Sequence, residues 1–144
     1  RGWKRTMYDG GVRVPFMLRW PAMVKPGVSD AFVCQMDLLA SFAGLLGQTY
    51  PDKLDSRNTL KAFLGKSKKG REELVIEGMF NYAYRKGDWA LIPPYRKQTE
   101  YQLYNLKEDI GQKHNLADKY PKKVKELTDE FEALKLSTGK KTRF

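Results

Sequence analysis

Apolar residues change their spacing along this 144-residue chain, and each change predicts a different element. Residues 12–20 form a compact apolar run that is short enough for a strand and too apolar for one facing water. Such a run predicts a strand that is covered on both faces within a sheet. Asp9 followed by Gly10 and Gly11 predicts a turn before it, because glycine adopts positive φ without a Cβ clash.

The next apolar stretch has the spacing of a helix. Leu38, Phe42 and Leu45 lie four and three residues apart, which predicts a helix over 38–46 with this face in the core. Asp37 is predicted as its N-cap, since a carboxylate there can accept an amide hydrogen bond of the first turn.

Loops surround that helix. Residues 22–31 predict a loop with a Pro-Gly turn, and Gly47 is expected to end the helix in a left-handed conformation. A polar loop over 48–58 then leads to a brief helical turn at 59–65.

A basic linker follows and predicts a boundary between two structural units, 1–65 and 72–136, with a frayed tail at 137–144. We interpret the linker as a solvated loop, with contact to a polyanion as the alternative. Its cations are Lys66, Lys68, Lys69 and Arg71.

Beyond the linker the spacing becomes that of strands. Strands are predicted at 74–76, 80–85, 89–92 and 102–106, with a hairpin turn at 86–88. They predict a small antiparallel sheet that is polar on one face. A helix over 121–136 should lie across the sheet through the face formed by Val124, Leu127, Phe131 and Leu134.

Composition indicates that the chain folds and that its partner could be a polyanion. Hydrophobic residues make up 41% of the chain and aromatic residues 12%, which argues against disorder. The net charge of +10 suits nucleic acid, an anionic membrane or a sulfated glycan, unless a more acidic remainder of a longer protein balances it. Cys34 is the single cysteine, so it can form no internal disulfide, and we expect a buried, inert thiol.

The first 22 residues also resemble a known family, the sulfatases (arylsulfatases). That family carries G-x-K-x-x-x-Y-E-G-G-x-R-x-P followed by a strand ending in R-W-P-G. Asp9 here replaces the usual Glu, and Ala22 replaces the last Gly. The matching residues are Gly2, Lys4, Tyr8, Gly10, Gly11, Arg13, Pro15, Arg19, Trp20 and Pro21.

Later segments extend the resemblance. R-K-G-D-W-A-L-I at 85–92 is similar to the family's R-x-G-D-W-K-L-I, and 101–117 is similar to its E-L-Y-D-L-x-x-D-P-x-E-x-x-N-L-A. Ile110 and Gln112 depart from the usual Pro and Glu, in a turn where we expect little to depend on them. The resemblance implies an alkaline-phosphatase-like α/β fold. It assigns 1–65 to the end of the large domain and 72–136 to a small C-terminal α+β subdomain.

The same resemblance implies an activity. The parent enzyme would hydrolyse sulfate esters, either aryl sulfates or sulfated glycans, through a formylglycine nucleophile with the help of calcium. Formylglycine arises from Cys or Ser in C/S-x-P-S-R or C/S-x-A-S-R, and neither string occurs here. We therefore expect the nucleophile and the calcium ligands to lie upstream of Arg1. No metal ligand is expected in this chain, and the isolated chain is expected to be inactive. A periplasmic, extracellular or lysosomal location is also implied.

Lys4 is the one site residue that the resemblance assigns, because the family's lysine at this place binds the sulfate group. An ammonium beside a developing sulfate oxyanion helps most where water is excluded. His114, the single histidine, has no placed nucleophile beside it and is expected to be a surface or capping residue.

A stand-alone module for nucleic acid or another polyanion is the alternative function. Tyr82, Tyr84 and Trp89 lie near basic residues and could in principle stack bases. No RNA-recognition signature is present, so we expect no nucleic-acid partner. We also expect the fragment to self-associate through 12–20, since an apolar strand without its cover can pair with a second copy.

Overall fold

Four short strands form one antiparallel sheet in the C-terminal half of the chain. The structure, a computed structural model, describes residues 1–51, 53–79 and 81–137. Sequence neighbours are sheet neighbours, in the order β1-β2-β3-β4, and the turn at Gly87 (φ +55°) confirms the predicted hairpin. The strands are β1 Glu73–Glu77, β2 Tyr82–Lys86, β3 Trp89–Ile92 and β4 Gln102–Asn105.

One face of this sheet is covered by the last helix, α4, which spans Pro121–Ser137. Tyr84, Leu91 and Leu103 lie side by side in the registers of β2, β3 and β4. Leu127 and Phe131 of α4 pack on them and are fully buried, with Val124 and Leu134 packed around the edge. The predicted helix and its apolar face are confirmed.

The opposite face of the sheet is buried too, which corrects the prediction of a polar face. Met7 packs there against Ala83 and Ala90, with Tyr8 beside it. A Cβ on Gly78 would lie 2.4 Å from the Met7 methyl carbon, so the backbone leaves room for this side chain. Ala83 and Ala90 are small enough to leave room for the N-terminal segment on this face.

The chain divides into two compact units. Arg1–Pro15 belongs with the chain from Glu73 onward, and Phe16–Glu72 forms the other unit. Residues 1–15 therefore pack with the small sheet. The assignment of 1–65 to the large domain of an intact protein stays a prediction. Of the tail predicted to be frayed, 137–144, Ser137 ends the last helix and the rest lies outside the described residues.

No strand forms at 12–20, so that prediction is wrong for this chain. Val12 ends a single helical turn, α1 (Asp9–Val12), and residues 13–20 join no ladder with any described residue. Their side chains are largely exposed, Met17 by 91%. A strand needs a neighbouring strand for its backbone hydrogen bonds, and β1–β4 pair only among themselves.

The second unit contains two short helices, α2 (Leu38–Leu45) and α3 (Leu60–Phe63), joined by the predicted loop. The predicted apolar face of α2 is only partly in the core: Leu38 and Leu45 are half-buried and Phe42 is exposed. Ala40 and Ser41 are fully buried instead. The Ala40 amide donates to Ser56 Oγ at 3.0 Å, and Ser41 Oγ accepts from the Thr59 amide at 3.1 Å. Polar bonds to the following loop thus decide which side of α2 faces inward.

Two smaller expectations in this unit have opposite outcomes. Gly47 has φ +65° at the end of α2, so the predicted left-handed conformation is confirmed. Cys34 is half-buried, so the prediction of a buried thiol is wrong.

Asp37 occupies the N-cap position of α2 as predicted, but its fully buried side chain makes no cap hydrogen bond, so the predicted capping role is wrong. Arg71 Nε donates to Asp37 Oδ2 at 3.0 Å, and Arg71 Nη2 donates to Oδ1 at 2.9 Å. Burial by itself lowers the pKa of Arg71, but the hydrogen bond and charge of Asp37 raise it above its ordinary value. Arg71 therefore does not belong to the solvated linker, whereas Lys66, Lys68 and Lys69 are exposed as predicted.

Candidate functional site

Lys4 occupies the tip of a tight turn. The Thr6 amide donates to Trp3 O at 3.0 Å, and the Thr6 hydroxyl donates to the same oxygen at 2.7 Å. Arg5 has φ +78°, which makes this a type II turn with Lys4 at the first central position. The second central position normally takes glycine, so the arginine there is held in a strained conformation.

The Lys4 side chain is exposed, and within the part of the chain that the structure describes its ammonium has no hydrogen-bonding or ion-pair partner. The Trp3 side chain is 77% exposed, and Arg5 is also exposed. The turn therefore exposes the Lys4 ammonium and the Trp3 indole, whereas Arg5 Nη1 donates to the Met79 sulfur at 3.8 Å. Behind it, the Met79 amide donates to Arg5 O at 3.3 Å and ties the turn to the sheet unit.

Gly10 and Gly11 allow residues 1–6 to fold back onto α1. A Cβ on Gly10 would lie 2.6 Å from the carbonyl oxygens of both Arg1 and Gly2. On Gly11 it would lie 2.5 Å from the carbonyl oxygen of Trp3. Neither glycine has positive φ, so the conformational reason expected from the sequence is wrong and close backbone approach is the actual one.

A second set of contacts joins the start of the motif to the sheet. The Arg1 guanidinium lies 4.3 Å from the centre of the Tyr8 ring and donates to the Tyr104 hydroxyl at 3.2 Å. The hydroxyls of Tyr8 and Tyr104 both donate to Gln102 Oε1 at 2.8 Å. Burial, and then the neighbouring Tyr8, raise the pKa of Tyr104, so the Tyr104 hydroxyl stays a neutral donor.

Asp9 and Gln112 form the third attachment. The Asp9 amide donates to Gln112 Oε1 at 2.7 Å, and Asp9 Oδ2 lies 3.5 Å from Arg13 Nη1. Gln112 is 1% exposed and has φ +51°. The interpretation that little depends on Gln112 is therefore wrong. The signal was its place in the matched pattern, where both Glu and Gln offer a side-chain oxygen acceptor.

The guanidinium of Arg85 lies near this attachment and interacts electrostatically with Asp9, Arg13 and Asp88. Burial lowers the pKa of Arg85, and the positive charge of Arg13 adds to that effect. The carboxylates of Asp9 and Asp88 act in the opposite direction. The surroundings of Asp9 are thus rich in guanidinium groups, in keeping with the basic composition.

The other candidate residues do not join this site. His114 is exposed, with Nδ1 3.5 Å from Asp109 Oδ2, so its predicted surface role is confirmed. Tyr84 is fully buried and donates to Glu73 at 2.7 Å, and the Trp89 ring packs edge-on against Tyr120. Burial excludes Tyr84 from stacking on a base, whereas Trp89 is half-buried beside Tyr120.

The family resemblance implies calcium in the parent enzyme, with ligands upstream of Arg1. Among residues 1–51, 53–79 and 81–137, no group of three or more His, Cys, Asp or Glu side chains could hold a metal ion. The described residues thus do not fit a calcium site of their own. No helix among them is long and apolar enough to cross a membrane.

Comparison with known proteins decides the family. The family model described as N-sulphoglucosamine sulphohydrolase, C-terminal, matches residues 2–137. The chain belongs to the sulfatase family. The match includes the Lys4 turn, the glycine pair and the whole sheet unit that holds them.

Relatives agree on the sulfatase family and on the region. N-acetylgalactosamine-6-O-sulfatase of Bacteroides thetaiotaomicron is 38% identical over 151 residues, covering 94% of this chain and 30% of that protein. Human arylsulfatase A is 38% identical over 74 residues, covering 51% of this chain and 15% of that protein. The chain thus spans less than a third of the length of these relatives and corresponds to the C-terminal part.

A solved structure confirms the sulfatase fold. It comes from work on the metabolism of multiple glycosaminoglycans by Bacteroides thetaiotaomicron and superimposes with a TM-score of 0.86 at 36% identity. The superimposed region includes 94% of this chain and 32% of the chain in that structure. The predicted alkaline-phosphatase-like α/β class, C-terminal portion, is therefore confirmed.

Proposed function

We propose that this chain is the C-terminal region of an enzyme that hydrolyses sulfate esters, and that Lys4 binds the sulfate group of the substrate. The observation that carries the proposal is the Lys4 turn. It lies inside the family match and is attached to the sheet unit at several points, and its exposed ammonium has no hydrogen bond or ion pair with a described residue. Exposed lysines commonly have no such partner, so the choice of Lys4 rests on its place in the matched motif together with its exposure.

The turn contributes by fixing the position from which the positively charged Lys4 side chain extends. Lys4 would donate to a sulfate oxygen and stabilise the negative charge that grows there as the ester bond breaks. The contact strengthens when the rest of an enzyme excludes water, because screening then falls. The rigid backbone on both sides limits where the flexible lysine stem can begin, which reduces the ordering that binding requires.

The remaining chemistry belongs outside the described residues. In the family resemblance, formylglycine supplies the nucleophile and calcium offsets the sulfate charge. Neither string that yields formylglycine occurs in the chain. We therefore assign no step to either group here, and we expect the isolated chain to be inactive. A periplasmic, extracellular or lysosomal location also stays a prediction.

A sulfated glycan is the substrate class that we favour. The relative with the widest match reported above is named for a 6-O-sulfated amino sugar, and the superimposed structure comes from work on glycosaminoglycans. The net charge of +10 suits a polyanion, and the exposed indole of Trp3 next to Lys4 offers an apolar face to a sugar ring. An aryl sulfate is the second candidate, supported by the match to arylsulfatase A.

The test is replacement of Lys4 in the intact sulfatase that carries this region. We expect Lys4→Ala to lower kcat/KM roughly 10²- to 10³-fold, because one charge contact in a transition state is worth on the order of 2–4 kcal/mol. Lys107→Ala removes an equally exposed lysine of the same unit and should leave the rate unchanged. Wild-type kinetics in Lys4→Ala would contradict the proposal. A faster rate on sulfated disaccharides than on aryl sulfates would support the glycan class.

A further inference from the structure

Gln112 lies far from Lys4 in sequence yet touches both ends of the segment that carries it. Its side-chain oxygen accepts from the Asp9 amide at 2.7 Å, across 103 positions of the chain. Its backbone oxygen accepts from Arg1 Nη1 at 3.3 Å. One residue thus holds the chain just before the Lys4 turn and just after it.

The geometry around Gln112 favours a fixed position for both acceptors. The side chain is 1% exposed, so a lost hydrogen bond there could not be replaced freely by water. Its φ of +51° is seldom adopted by residues other than glycine, and it directs the side chain and carbonyl of the same residue toward the N-terminal segment. Strain of this kind persists only where surrounding contacts demand it.

The contacts also reinforce one another. The guanidinium that reaches Gln112 O also reaches the Tyr104 hydroxyl and lies over the Tyr8 ring. The helical turn that begins at Asp9 contains Gly10, whose amide donates back to Arg1 O at 2.9 Å. Arg1 is therefore bonded directly to α1 at Gly10, as well as indirectly through Gln112. The Lys4 turn forms the loop that this junction closes.

We propose that Gln112 is a positioning residue for Lys4, which sets where the ammonium meets a sulfate group. The inference rests on the proposed function of Lys4. Gln112 touches no substrate in this role and acts through the Asp9 amide and Arg1. An amide supplies the acceptor without a negative charge, so it does not compete with a sulfate for the cations of this segment.

The first arm of the test measures the turn itself. In Gln112→Leu, which keeps the volume and loses the acceptor, we expect amide exchange at Asp9 and at Thr6 to rise about 10- to 100-fold. Gln112→Glu retains a side-chain oxygen and should restore protection at both amides. Lys113→Ala, an exposed neighbour, should leave them unchanged. The Leu91 amide in β3 reports whether the sheet remains folded in each variant.

The second arm measures anion binding with inorganic sulfate as the probe. We expect sulfate to shift the Lys4 and Arg5 amide signals of the chain, and Gln112→Leu to weaken that binding several-fold while Gln112→Glu restores part of it. A role confined to the fold would move the Leu91 amide and leave sulfate affinity unchanged in folded protein. That outcome, or unchanged exchange at Thr6 in Gln112→Leu, would overturn the inference. If wild type and Lys4→Ala bind sulfate equally well, the proposed function of Lys4 is overturned. Amide exchange at Asp9 and Thr6 would then still test whether Gln112 holds the turn.

Discussion

The buried pair of Asp37 and Arg71 should dominate the stability of the unit Phe16–Glu72. Asp37 is fully buried, and its carboxylate accepts two hydrogen bonds from the guanidinium and one from the Arg57 amide at 2.8 Å. Arg71 Nη2 also donates to the Asp55 carbonyl oxygen. One ion pair therefore connects the start of α2, the loop that follows it and the end of the unit.

The magnitude follows from what Asp37→Ala leaves behind. Removing one partner of a buried pair costs about 3–5 kcal/mol, because the remaining charge is uncompensated. Loss of the acceptor for the Arg57 amide adds about 1 kcal/mol. We expect a loss of about 4 kcal/mol or more, which is most of the stability of a small domain. Replacing both residues by apolar ones, Asp37→Leu with Arg71→Met, should cost clearly less, since no charge stays buried.

Denaturant titration with exchange at the Ala40 amide measures this unit, because that amide is hydrogen-bonded to Ser56 inside it. Lys61→Ala is the control within the same unit, since Lys61 is exposed and its replacement should change stability by less than about 0.5 kcal/mol. A loss under 1 kcal/mol in Asp37→Ala would refute the reasoning. So would a double variant as unstable as the sum of the two single ones, because the two residues would then not be coupled.

Three further outcomes can be measured on the same chain. Hydrogen bonds from backbone amides, that of His114 first, lower the pKa of Asp109. The Asp109 carboxylate therefore stabilises the fold above the ordinary carboxyl pKa, and this stabilisation is lost as pH falls through the lowered pKa. Asp109→Asn should lower the denaturation midpoint at pH 7 but not at pH 2, and an equal loss at both would contradict this. Arg5→Gly should relieve the strain at φ +78° and stabilise the chain by about 0.5–1 kcal/mol in thermal unfolding, unless that turn is unstrained, when stability would fall. Met17→Lys should reduce concentration-dependent association through 12–20 in sedimentation, and a monomeric wild-type chain would rule that association out.

Signals that act over a few residues predicted local structure well. The Gly87 hairpin and β3 follow from alternation and turn chemistry within eight positions, and α4 follows from Leu127 and Phe131 at helical spacing. These elements need no distant partner to be recognised. Residues 12–20 failed for the opposite reason, because an apolar run becomes a strand only where another strand can pair with it.

Asp37 shows where a correct local rule selects the wrong role. A carboxylate before a helical apolar pattern satisfies the N-cap rule, and nothing nearby contradicts it. Its actual partner, Arg71, stands 34 positions later in a run of lysines that is otherwise solvated. No local feature distinguishes that arginine from its neighbours, and only the folded unit shows that it is buried.

The Lys4 turn combines both cases. The glycine pair lies within seven residues of Lys4, so pattern matching finds it, although its purpose is close backbone approach and not positive φ. Gln112 lies 103 positions from its partner Asp9, and as a departure from the family pattern it was discounted. A substitution that keeps an acceptor oxygen while removing a charge is conservative for the hydrogen bond and not for the electrostatics. The turn that presents the proposed sulfate contact therefore depends as much on the C-terminal sheet unit as on the motif that identifies it.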